Sequence, residues 1–168
     1  MDIRQIRGLV GRNDITGNNI FHELAEVGSL TLLYRIRDNI DESFHSILQE
    51  TNNDGESSIH IAVKKHRGEH AIKLVEVLVS MGADLNGTMG TSGCTVLHIT
   101  VWRKDYTLAK WLCQQSRINL HAKGWYGLTA YHMAVIENDE QMMDIFKAYG
   151  ATCAELKVIE SKSSNKNK

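Results

Sequence analysis

Proline is absent from all 168 residues. No helix start therefore has the residue whose fixed φ best prepares a first turn, and only modest stability is expected. Cysteine is scarce. Cys94, Cys113 and Cys153 are odd in number and widely spaced, which argues against a disulfide framework and against a CxxC zinc pair; small apolar filler is their expected role. No apolar run approaches the ~20 residues of a membrane span, and the opening MDIRQIRGLVGR has no signal-peptide apolar core. Neither sign of charge is in excess: 19 Lys and Arg stand against 20 Asp and Glu, a net charge of −1, which argues against a general nucleic-acid binder. These absences point to a soluble protein of a reducing compartment, the cytoplasm with the nucleus as a second address. There Asn86-Gly87-Thr88, a match to the glycosylation pattern, is a chance occurrence. What is present is ordinary for a globular chain, 42% apolar and 23% charged. The length suits one domain or a short array of repeats that needs no disulfide or metal to fold.

Histidine is the exception, with eight copies, four of them in one setting. Gly17-Asn-Asn19-Ile-Phe21-His22, Gly55-Glu-Ser57-Ser-Ile59-His60, Gly93-Cys-Thr95-Val-Leu97-His98 and Gly127-Leu-Thr129-Ala-Tyr131-His132 share the pattern Gly-x-cap-x-apolar-His, with the histidines 38, 38 and 34 residues apart. A period of this size indicates a solenoid. The Gly allows positive φ in a tight turn. Asn19, Ser57, Thr95 and Thr129 are N-cap residues, which predicts helices starting at Ile20, Ser58, Val96 and Ala130. Each His occupies the place of a capping-box Glu, able to bond back to the cap. A second helix follows each time, marked by Leu30, Leu33, Tyr34 and Ile36, by Ile72, Val75, Leu78 and Val79, by Tyr106, Ala109, Leu112 and Cys113, and by Met142, Met143 and Phe146 at helical spacing. Gly82-Ala83 and Gly150-Ala151 close two of these second helices.

Val75-Glu-Val-Leu78-Val79-Ser-Met-Gly82-Ala83-Asp84-Leu-Asn86, with Leu97-His98 and Ala62, resembles the ankyrin repeat. The resemblance implies an all-α solenoid of about four helix-turn-helix repeats with short hairpin loops. Its expected divisions are a lead-in over 1–13, repeats at about 14–52, 53–89, 90–123 and 124–151, and a polar basic tail over 152–168. Ile20, Ser58, Val96 and Ala130 stand where the family has proline. Extra length falls at 38–56 and at Lys65–His70, and long loops are often functional.

Taken whole, the chain is similar to the IκB-type ankyrin proteins, and in particular to the truncated IκB-like group of the polydnaviruses (bracoviruses) of parasitoid wasps. That resemblance implies a non-enzymatic inhibitor. It would bind Rel/NF-κB transcription factor dimers of the host and block their nuclear entry and DNA binding, with no cofactor, no metal, no nucleic acid and no membrane. Cellular inhibitors of the family carry phosphorylated serines and ubiquitin-accepting lysines in an N-terminal arm. Here the first 15 residues contain no Ser or Thr and the first lysine is Lys64, so the expected protein holds its partner through the immune signal. A generic ankyrin adaptor for a cytoskeletal or ubiquitin-ligase partner is the alternative, and no nucleophile–base pair or phosphate loop supports an enzyme.

Candidate contacts follow from charge and position. Asp38, Asp41, Glu42, Glu50, Asp54 and Glu56 occupy 38–56 without a Lys or Arg, a receiver for a basic segment by complementarity or a solvated loop. Glu137, Asp139, Glu140 and Asp144 form a second acidic stretch. Trp125 and Tyr126 lie at an expected hairpin tip, either an interface anchor or packing on the adjacent tip, and Trp102 closes the third inner helix. Asn52, Asn53, Met89, Thr91 and Ser92 are candidates by tip position alone. Lys64-Lys65-His66-Arg67 is a short basic cluster better read as solvated than as an import signal. A shared metal on His22, His60, His98 and His132 is excluded by spacing, since stacked repeats place them about 10 Å apart against ligand distances of ~2 Å.

Overall fold

The computed structural model describes residues 11–39 and 44–152. Four helix pairs run through them: α1 (Ile20–Val27) with α2 (Leu30–Arg37), α4 (Ser58–Lys65) with α5 (Gly68–Ser80), α6 (Val96–Arg103) with α7 (Tyr106–Cys113), and α8 (Ala130–Ile136) with α9 (Glu140–Ala148). A short α3 (His45–Gln49) lies between the first and second pairs. Among the described residues there is no strand, only a lone bridge between Met89 and Cys94 in a hairpin tip. The two helices of each pair are joined by two or three residues, which forces an antiparallel return. Inner helices pack on inner helices in the order α1, α4, α6, α8, and outer helices on outer in the order α2, α5, α7, α9. This is the two-layer solenoid expected from the pattern.

All four inner helices begin where the cap residues put them. Each has a complete capping box, in which the cap side chain accepts from the third backbone N–H and the histidine accepts from the cap N–H. A cap of this kind is worth about 1 kcal/mol. Gly17, Gly55, Gly93 and Gly127 have φ of 71°, 73°, 65° and 72°, the left-handed turn that a glycine enters without strain. The core runs unbroken along the stack, from Phe21, Leu24 and Leu33 through Leu74, Leu78, Leu97 and Leu112 to Met142 and Phe146. Two apolar residues of the second helices lie further out than their spacing suggests. Val79 is partly exposed, and so is Tyr34, whose ring carries the Arg37 guanidinium at 4.9 Å.

Among the described residues both extra lengths are partly helical. In 38–56, α3 is pinned by buried Phe44 and Leu48, and the segment beyond it is tied down by Arg12, which donates to the carbonyls of Gly17 and Thr51. Asp41 and Glu42 lie outside the described residues. At Lys65–His70, α4 and α5 are separated only by His66 and Arg67, and the added residues lengthen α5 to 13. His66 Nε2 meets the carbonyls of Ala25 and Glu26 at 3.0 and 3.1 Å. Gly68 N–H donates to Asp105 at 2.9 Å. The second repeat is therefore fastened to both neighbours.

Ser58 is the first residue of α4, is fully buried, and its hydroxyl finds no hydrogen-bond partner. The preceding Ser57, at φ −82° and ψ 167°, already has the extended backbone that a following proline requires. Ser58→Pro removes an unpaired buried polar group and fixes a helical φ, so a gain of about 1 kcal/mol is expected. Thermal melts beside Ser58→Ala check it: the Pro variant should melt higher than both the parent and the Ala variant.

Candidate partner-binding surface

The histidines that define the repeat are structural joints. His22, His60 and His98 each accept at Nδ1 from their own cap N–H at 3.1–3.2 Å. Nδ1 as acceptor leaves Nε2–H as donor, and it points to the connection that follows its helix pair: His22 to Glu56 O at 2.9 Å, His60 to Gly87 O at 3.1 Å, His98 to Leu128 O at 3.0 Å. One ring thus closes a helix start and clips it to the following hairpin. Burial pushes all three below the ordinary imidazole value, His60 to about 4, against the opposing pull of the carbonyl bonds. They are neutral at physiological pH, and with both ring nitrogens engaged they offer no ligand to a metal. Burial also pushes the Cys113 thiol up to about 11, which makes it a poor nucleophile.

What the stack leaves for a partner is the surface of its inner helices and tips. Seven residues after each cap stand Glu26, Lys64, Trp102 and Ile136, and eight after stand Val27, Lys65, Arg103 and Glu137. Stacking α1, α4, α6 and α8 brings these into two parallel rows. The rows change character along the array. At the first two repeats they are ionic apart from the exposed Val27, with Lys65 Nζ 2.6 Å from Glu26 and Lys64 paired with Glu56. At the last two the first row is apolar, Trp102 and Ile136, while the second holds Arg103 and Glu137. Trp102 is 43% exposed, Ile136 63%, and at the neighbouring tip Trp125 is 49% and Tyr126 95% exposed. The Trp102 and Trp125 rings meet edge to face, with centroids 5.0 Å apart and planes at 60°, a favourable aromatic geometry. Tyr126 stands beside them at φ 56°.

The acidic candidates do not form one open patch. Glu56 is only 3% exposed, paired to Lys64, with its carbonyl taken by His22. Asp139 is buried as the cap of α9, accepting from Met142 N–H at 3.1 Å and from the Tyr106 hydroxyl at 3.1 Å. Both expectations of a surface contact are corrected by burial. Asp38 is exposed but gripped by Arg37 at 2.9 and 3.0 Å, and Glu50 is half-buried 4.0 Å from Arg12. Asp54, Glu137, Glu140 and Asp144 remain on the surface. Asn52 is buried too, bonded to Asn18 at 3.1 Å. Lys64 and Lys65 close α4 in ion pairs, so the short basic cluster is part of the inter-repeat seam. Ile136, Val27 and the exposed Ile15 were missed by reading motifs alone; counting seven and eight residues from each cap finds the first two.

The pattern of a family described as ankyrin repeats in three copies matches residues 59–157. Three relatives from Microplitis demolitor bracovirus (isolate Webb) are similar over most of the chain. I-kappa-B like protein N2 is 40% identical over 141 residues, covering 81% of this chain and 75% of its own length. I-Kappa-B like protein N3 is 40% identical over 134 residues, 80% of this chain and 82% of its own. I-Kappa-B like protein N1 is 41% identical over 109 residues, 65% of this chain and 78% of its own.

Proposed function

Since the chain belongs to the ankyrin-repeat family and, within it, to the I-kappa-B-like proteins, we propose that it is a non-enzymatic inhibitor that binds Rel/NF-κB dimers of a host cell and blocks their nuclear entry and DNA binding. Suppression of the host immune response is the biological consequence of that reading, and the host cytoplasm is where it acts. The single observation that carries it is the likeness to I-kappa-B-like proteins along four-fifths of the chain, 81% for one of them. The architecture is in keeping with it: a continuous two-layer stack whose histidines are committed to structure leaves surface recognition as the chemistry on offer. Asp38, Asp54, Glu137 and Glu140 are the surviving acidic candidates for a basic localisation segment of the partner.

The reading is tested by adding the protein to purified Rel-homology dimers on labelled cognate DNA. The shifted band should fade in proportion to the added protein, and the two proteins should co-elute as a complex. If the band persists with soluble protein at about 10 μM, well above a micromolar Kd, a specific inhibitor of nanomolar to micromolar affinity is ruled out and the adaptor role replaces it.

A further inference from the structure

The third repeat has a charge balance unlike its neighbours. Between Asp84 and Glu137 the only acidic residue is Asp105, against five cations, Arg103, Lys104, Lys110, Arg117 and Lys123. Asp105 is buried, and its carboxylate is spent on Leu108 N–H at 3.1 Å and Gly68 N–H at 2.9 Å. The surface charge of this stretch is therefore wholly positive. Arg103 and Lys104 directly follow Trp102, and Lys123 comes two residues before Trp125. The exposed aromatic group of Trp102, Trp125 and Tyr126 thus has Arg103 and Lys104 as chain neighbours on one side and Lys123 on the other. One of them holds a donor in reserve: Arg103 Nε is buried and has no hydrogen-bond partner.

We propose that this aromatic tip and its cationic border form a docking site for a short acidic protein segment with an apolar anchor. The anchor lies on the indole and phenol faces, and flanking carboxylates meet Arg103, Lys104 and Lys123. Exposed aromatics supply contact area at low entropic cost, and charge-assisted bonds to carboxylates supply direction. A single-stranded nucleic acid also stacks on aromatics, but it needs a continuous basic track. Here the track stops at Glu137, Glu140 and Asp144, all exposed in the next repeat. A few carboxylates fit between these limits; a polyanion does not. The site stands whether or not a Rel dimer is the partner, because it rests on the third repeat's own chemistry.

The test uses the full chain and a labelled peptide of roughly 12 residues built from Asp, Glu, Leu and Phe, beside a twin with Lys for every acid and an oligothymidine of similar length. Fluorescence polarisation and tryptophan emission are the readouts. The acidic peptide should saturate and bind about tenfold or more tighter than the Lys twin. Tyr126→Ser with Trp125→Ser should weaken it about tenfold or more, and Lys104→Asn, which tolerates the left-handed backbone at φ 51°, should flatten the salt dependence. Equal binding of the two peptides, or no loss in the aromatic double variant with an unchanged melt, overturns the proposal. Stronger binding of oligothymidine assigns the surface to nucleic acid instead. A dimer in sedimentation that Tyr126→Ser dissolves assigns it to a second copy of the chain.

Discussion

Taken from pH 7.5 to pH 5.0, the protein should lose several kcal/mol of stability before its carboxylates begin to titrate. In the unfolded chain His22, His60 and His98 titrate near 6.5, whereas burial lowers all three in the fold, His60 to about 4. Below about pH 6.5 the unfolded chain takes up protons that the folded chain refuses, so the stability present above that pH is drained as the pH falls towards the folded values. For His60 alone the loss is about 2 kcal/mol at pH 5 and about 3 kcal/mol when titration is complete. The structural cause is direct: a proton on Nδ1 would face the cap N–H that Nδ1 now accepts. Urea titrations at the two pH values check this, and His60→Gln supplies the control. Gln keeps the capping-box geometry without titrating, so its pH slope should fall by about one proton. Equal midpoints at pH 7.5 and 5.0 would show that the buried rings do not govern acid sensitivity.

The second large effect is expected from Gly55→Ala. A Cβ there would lie 2.5 Å from Gly90 Cα and 2.7 Å from Gly90 N, both backbone atoms that no rotamer change can move aside. The same approach is bridged by Gly90 N–H to Gly55 O at 2.9 Å. The substitution therefore strains a φ of 73°, at about 1–2 kcal/mol, and pushes apart two tips that share a bond worth about 1 kcal/mol. A total of about 2–3 kcal/mol is expected. Gly127→Ala separates the two causes. Its φ is nearly the same, 72°, but nothing lies within 4 Å of its added carbon, so only the strain should appear. If the two variants melt alike, the close approach of the tips at Gly55 contributes nothing.

Much of this architecture could be read from residues. The N-caps, the histidines and the glycines form a signal that is local, periodic and chemically specific, and the inner helices begin where it places them. The parts that were not legible depend on distance in sequence. A five-residue helix such as α3 is too short to show a period, so its segment reads as a charged loop. Glu56 looks like surface until Lys64, about two helix turns beyond the cap Ser57, is seen to fold back on it. Asp139 is different: an acid just ahead of the apolar run of α9 is a cap signature, and attention to net charge hid it. For Trp125 the sequence left an interface anchor and tip packing open. In the structure the ring packs on Trp102 of the preceding inner helix and stays half exposed, while Tyr126 alone stands free of the core.

The fastening of the second repeat on both sides also bears on how the array comes apart. In a linear stack each unit is held by its own stability and by its two interfaces. Repeat two has His66 and Lys65 on the first unit and Gly68 on the third, in addition to the His22 clip from the first unit. Opening of the chain then proceeds as peeling from the far end, where α8 and α9 pack on one neighbouring pair among the described residues. Amide protons of α4 and α5 exchange last, only in the event that releases the whole stack. A partner gripping the last two repeats would thus hold the part that leaves first, and its binding energy would be spent in closing a fraying end.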